Sequence, residues 1–228
     1  MENSQRGFER LQAGDLDGLR RILEEEPALA EARDAQGVSL LMQSLYRGRR
    51  DLADMIADRK KTLDIFEAAS LGRLVLLKEM AGDPAAVNSR SGDGFTALHF
   101  AGFFGQPESA RLLIEAGAAV EAVAANPMAV MPLHSAASAR NLEAVRLLLE
   151  HGAPPNARQH GGWAPIHAAA QNGDRPMIEL LLQHGADPRL ANDEGKTAAM
   201  VADEKGHHEI AKLLESDLWR LMKKNLGL

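Results

Sequence analysis

Three histidines, His99, His134 and His167, follow one another at intervals of 35 and 33 residues, and recurring imidazoles first suggest a metal centre. The intervals argue against it. Residues one structural repeat apart are separated by about a helix diameter, on the order of 10 Å, which zinc–nitrogen bonds of ~2.1 Å cannot bridge. His151 and His184, also 33 residues apart, fail on the same ground. His207 and His208 adjoin Glu209 but lack HExxH spacing, so they read as a solvated helix start. EGKT at 194–197 ends like a phosphate loop, yet position 190, where that motif needs glycine, is leucine. No pair of carboxylates is isolated in apolar sequence as general acid–base chemistry prefers. With no cysteine, disulfides, thiolate catalysis and cysteine-ligated zinc are excluded, and a reducing compartment fits. No catalytic residue, cofactor or metal is expected.

The one local cluster of positive charge is Arg47, Arg49 and Arg50 with Arg59, Lys60 and Lys61. Asp51, Asp54 and Asp58 interleave with it, which favours a charged helix surface over a nucleic-acid footprint; an acidic peptide is a minor alternative partner. A net charge of −6 argues against generic binding to phosphate backbones or anionic lipid. The first residues, MENSQRGFERL, lack the apolar core of a secretory signal, and no run approaches the ~18 apolar residues of a membrane span. A cytoplasmic protein is expected.

The elements that carry these residues follow from composition and period. Ala and Leu number 38 and 32 of 228 residues, whereas Phe, Trp and Tyr together number 9, a balance that favours helices over sheets. TALHFA, MPLHSA, APIHAA and TAAMVA align, with His99, His134, His167 and Met200 at the fourth position. Carried backwards, the register reaches Phe66, Met42 and Phe8, giving seven units. Positions not used to set the register agree with it. Six residues after each anchor stand Gly14, Gly48, Gly72, Gly105, Arg140, Gly173 and Gly206; fourteen after stand Ile22, Ile56, Met80, Leu113, Leu148, Leu181 and Leu214. Each unit therefore reads as a short helix, a glycine turn, a longer helix and an extended finger. Ser39, Thr96 and Thr197 suit the N-cap, Pro132 and Pro165 the first helical position, and Gly117, Gly152 and Gly185 the helix C-terminus.

GFTALHFAGFFGQPESARLLIEAGA and GWAPIHAAAQNGDRPMIELLLQHGADP resemble the ankyrin repeat almost position by position, and DIFEAASLG and NPMAVMPLHSAA further resemble bacterial members of that family. The resemblance implies an all-α solenoid of about seven helix-turn-helix units with projecting β-hairpin fingers. It also implies that the recurring histidine holds hairpin backbone, and that a concave surface binds another macromolecule. A single domain over 1–228 is expected, with degenerate units at about 4–63, regular units at about 64–216 and a carboxy-terminal cap at 217–228, where Leu218, Leu221 and Met222 share a side. The polar amino-terminal unit, with Arg10, Arg20, Arg21 and three glutamates at 24–26, suits the other end. Met42 to Phe66 spans only 24 residues, so the second unit has lost its finger. The fourth gains two residues around Asn126, Pro127 and Met128.

In this architecture the residues four and five after each anchor face the groove. They include Tyr46 and Arg47, Leu71, Phe103 and Phe104, and Gln171 and Asn172. Four before the anchor, on the fingers, stand Phe95, Val130 and Trp163, with Met128 and Arg158 nearby. Five of nine aromatics on one surface point to a contact site for a protein partner. The competing reading packs some of them, Phe104 above all, into the core. The expected function is a non-catalytic protein-interaction scaffold, monomeric unless the aromatic patch self-associates; an enzyme or small-ligand protein built on the same stack is the alternative.

Overall fold

The structure, a computed structural model, describes residues 2–216, so the expected cap at 217–228 lies outside the described residues. Helices dominate and come in antiparallel pairs. The first pair is α1 (Glu2–Ala13) with α2 (Leu16–Glu25), the second α3 (Leu40–Tyr46) with α4 (Arg50–Ala57), the third α5 (Ile65–Leu71) with α6 (Leu74–Met80). After the four-residue α7 (Pro84–Val87) come α8 (Ala97–Phe103) with α9 (Pro107–Glu115) and α10 (Pro132–Ser138) with α11 (Leu142–Glu150). The last two pairs are α12 (Pro165–Gln171) with α13 (Arg175–Gln183) and α14 (Ala198–Glu204) with α15 (His208–Glu215).

Local chemistry starts and stops these helices where the sequence says. Ser39 and Thr197 accept bonds from the backbone N–H groups of Met42 and Met200, while Pro132 and Pro165 open α10 and α12. Thr96 departs from this pattern: its hydroxyl lies 2.8 Å from Nδ1 of His99, and the ring also takes the Thr96 backbone N–H. Small residues let the short helices stack closely. A Cβ at Gly102 would come within 3.3 Å of Ala136 Cβ and of the Pro132 carbonyl. Arg140, standing where six other units have glycine, still adopts φ +63°, so the turn geometry is kept against the side chain's preference.

The fingers are built from turns. Among the described residues there is no named strand, only isolated antiparallel bridges at Arg33–Ser39 and Ala191–Thr197. Corresponding tight turns close from Asp34 N to Val38 O, Ser91 N to Phe95 O, Gln159 N to Trp163 O and Asn192 N to Lys196 O. Such short loops form too few cross-strand bonds for a ladder. Neighbouring fingers are instead tied by single backbone bonds: Ala125 N to Gly94 O, His160 N to Met128 O and Asp193 N to Gly161 O.

Between α4 and α5 there is no finger, and the chain runs directly from one helix pair to the next. Buried apolar residues divide at this point. One core runs from Ile65 to Leu214, the other from Leu11 to Ile56 with Leu71 and Phe100 added from across the seam. Charged groups cross the seam where a finger would have lain. The Lys60 ammonium, its side chain only 2% exposed, sits 3.0 Å from Glu31 and 3.3 Å from the fully buried Glu67. Arg33 pairs with Asp64 at 2.7 Å, Arg73 with Asp54 at 3.0 Å, and Arg50 donates to the Leu71 carbonyl at 2.7 Å.

Candidate functional site: an aromatic trough

His99, His134 and His167 are structural. Each Nδ1 accepts the backbone N–H three residues earlier, from Thr96, Met131 and Ala164 at 3.1–3.2 Å. Each Nε2 then carries the proton and donates to a carbonyl of the next finger: Val130 at 3.0 Å, Ala157 at 2.9 Å and Lys196 at 3.2 Å. Burial pushes all three below the ordinary imidazole value, His99 to about 4. With both ring nitrogens taken up by backbone, no lone pair is left for a metal ion. Each of the three histidines stands ahead of a finger whose carbonyl it holds, whereas the anchor at Met42, where no finger follows, is methionine.

Phe95 and Trp163 lie edge-on over the rings of His99 and His167, with centroids 5.6 Å apart in both cases. These finger aromatics help to desolvate the imidazoles, and each is itself half-buried.

Three connected pockets run along the side of the stack that these residues line. The central one, about 360 Å³, is lined by Tyr46, Phe95, Phe100, Phe103, Met128 and Val130, with Asp93, His99, His134, Ser135, Ser138 and Gln159. A second of about 360 Å³ shares His134, Ser138 and Gln159 with it and adds His160, Trp163, Ala164, Ala168, Gln171 and Asn172. A third, about 250 Å³, shares Tyr46, Asp93 and Phe100 and continues towards Arg33 and Asp64. Together they form one trough.

Tyr46, Phe103 and Met128 are its exposed apolar groups, at 38%, 43% and 54% exposure. The Tyr46 hydroxyl donates to Asp93, which also accepts from Ser91; desolvation first, and then the carboxylate, raise the phenol's pKa. Arg47, Gln171 and Arg158 are exposed as well, with Arg158 paired to Asp193 at 2.8 Å and Arg47 bonded to Gln43. Asn172 donates to the Ser138 carbonyl.

Two expectations change. Leu71, expected to face the groove, is 3% exposed and packs in the amino-terminal core. With no finger ahead of α5 to hold the two pairs apart, this residue closes the seam. Val130 is 5% exposed, so it forms the trough floor and offers little contact area. Phe104 is half-buried, stacked on Phe100 with centroids 6.4 Å apart and against Tyr46 at 6.1 Å.

Phe100 and Asp93 are trough residues that the sequence reading passed over. Phe100 sits among Tyr46, Phe66, Phe95 and Phe104 with centroid separations of 5.6–6.4 Å, and this buried ring supports the exposed ones. The one available signal was aromatic clustering itself, because Phe95, Phe100, Phe103 and Phe104 fall within ten residues.

A family model described as "Ankyrin repeats (3 copies)" matches residues 65–159 and 133–220, which together span more than half of the chain. The chain belongs to the ankyrin-repeat family. Ankyrin repeats are generally protein–protein interaction modules. Over 131 residues, 53% of this chain and 15% of the relative, the sequence is 38% identical to "Ankyrin repeat and SAM domain-containing protein 6" of Rattus norvegicus. Over 96 residues, 42% of this chain and 5% of the relative, it is 43% identical to "BCL-6 corepressor-like protein 1" of Homo sapiens. "Palmitoyltransferase Hip14" of Drosophila melanogaster is 34% identical over 99 residues, 43% of this chain and 15% of that protein. The chain spans no more than 15% of the length of these eukaryotic relatives, so the likeness is one of repeats. No helix among the described residues is long and apolar enough to cross a membrane.

Proposed function

We propose that the chain is a non-catalytic interaction scaffold, one ankyrin-repeat domain of about seven units over residues 1–228, that holds a protein partner in the trough between Tyr46 and Trp163. The observation that carries this reading is the set of exposed apolar side chains, Tyr46, Phe103 and Met128, at the mouth of a continuous trough backed by a rigid aromatic cluster. Buried rings such as Phe100 fix the exposed ones in place, which lowers the entropy lost when a partner seats. Three of the six cations of the Arg47–Lys61 cluster described above are paired with acids, Arg49 with Asp51 at 2.7 Å, Arg50 with Asp54 at 3.1 Å and Lys60 with Glu31 at 3.0 Å. That supports a protein rather than a nucleic acid as the partner, and a monomeric cytoplasmic form completes the reading. The likeness to bacterial members rests on the wording of DIFEAASLG and NPMAVMPLHSAA.

The test is affinity capture from native extract with the intact protein and with a Phe103→Ser/Met128→Ser variant. Both side chains are exposed, so helicity should be unchanged while the captured proteins are lost. Undiminished capture by the variant would count against the trough. The alternative of a small-ligand protein draws on the central pocket, whose volume of about 360 Å³ lies within the range of ligand sites. It requires a metabolite that raises the melting temperature of the intact protein and fails to do so for the variant.

A further inference from the structure

Two of the three pockets, the central one and the one beside Trp163, differ in charge from the third, which carries Arg33, Asp64 and Arg90, and from the rest of the molecule. Twelve residues line the central pocket and nine the pocket beside Trp163, with three in common. Among these eighteen, Asp93 alone is an Asp, Glu, Lys or Arg, although such residues make up 25% of the chain and would supply four or five at random. Asp93 is already engaged by the hydroxyls of Tyr46 and Ser91. A charged side chain entering this space would lose water and meet no counter-ion, at a cost that an uncharged one avoids.

The shape and polar groups of the trough bear on the kind of molecule. Its pockets share lining residues end to end, so it is open along the stack and suits a chain passing through better than a compact ligand enclosed on all sides. Beside the apolar pocket, the carboxamides of Gln159 and Gln171 have no intramolecular hydrogen bond among the described residues. A carboxamide both donates and accepts, as a peptide backbone requires.

We propose that the central pocket and the pocket beside Trp163 receive an uncharged polypeptide segment that anchors one bulky apolar side chain among Tyr46, Phe103 and Met128 and lays its backbone against Gln159 and Gln171. The proposal rests on the protein-binding reading above and specifies the partner's chemistry. Because the contact is apolar, binding is insensitive to salt.

The experiment is selection of a random peptide display library on the intact protein, followed by titration of synthetic copies of the enriched peptides. Titrations are run at about 50 mM and about 500 mM salt, concentrations that bracket strong and weak screening. Val75→Asp, on the exposed face of α6, serves as control for Phe103→Asp; both positions are solvent-exposed, and circular dichroism checks the fold. Enriched peptides should share a bulky apolar residue with uncharged neighbours, and their affinity should change less than about twofold with salt. Phe103→Asp should weaken them by about tenfold or more, and Val75→Asp should leave them unchanged. Charged, salt-sensitive peptides that still respond to Phe103→Asp would overturn the proposed chemistry and leave trough binding standing. Absence of any enriched peptide that responds to Phe103→Asp would overturn both. Self-association abolished by Phe103→Asp, or displacement of the peptides by a small apolar compound alone, would assign the trough a different occupant and overturn the proposal.

Discussion

At the scale of single residues, each recurring histidine commits both ring nitrogens to backbone, and protonation of Nδ1 would set an N–H against the N–H it now accepts. The folded state therefore holds these rings neutral, while the unfolded chain takes up protons near pH 6.5. Since the folded value is the lower one, the stability from this source is complete above about pH 6.5 and is lost as pH falls towards about 4. For His99 alone the full loss is about 3 kcal/mol. Urea unfolding across that interval should show stability falling with pH, and His99→Gln should make the fall shallower. Arg140 gives a second prediction. It occupies a left-handed conformation that glycine adopts without strain, and its side chain, 60% exposed, makes only a 3.5 Å contact with Asp174. Arg140→Gly should raise the unfolding free energy by up to about 1 kcal/mol, measured by denaturant titration. The positions of the histidines and of this turn were legible in the sequence because a repeat register assigns every residue the same place in each unit. Phe100 was not, since its burial depends on which helix pair lies across the seam.

At the scale of elements, the missing finger between α4 and α5 reorganises its neighbourhood. The 24-residue spacing from Met42 to Phe66 revealed the deletion in the sequence, and the cluster of Lys60 with Glu31 and Glu67 shows what replaces the finger. In the sequence, Lys60 reads as part of a solvated basic run. Charge run alone could not show that this ammonium turns inward, because its two carboxylate partners stand 29 residues before it and 7 after it. Lys60→Met should cost about 3–5 kcal/mol, since it leaves Glu67 buried without a counter-ion. Lys60→Met combined with Glu67→Leu should recover much of that loss in the same unfolding assay, because no buried charge remains. The same seam moves Leu71 out of the groove and draws Phe100 into contact with the amino-terminal core, so the trough stands where two cores meet.

At the scale of the whole molecule, the pairs stack with small residues between their short helices, and larger side chains collect along the trough. Helical, repeating units were legible from period and composition, and the solenoid from the resemblance of those units to the ankyrin repeat. The trough was legible in outline, through Tyr46, Phe95, Phe103 and Trp163, but its floor and the nearly uncharged lining of its central and Trp163 pockets depend on how fingers from different units lean together. The central claim is that partner binding resides in this trough. The most direct measurement is the dissociation constant of a captured partner for the intact protein, for Phe103→Ser/Met128→Ser and for Val75→Ser on the opposite, outer helix α6. The trough variant should bind about tenfold or more weakly, with Val75→Ser unchanged. Equal affinity for the trough variant, or loss confined to Val75→Ser, would contradict it.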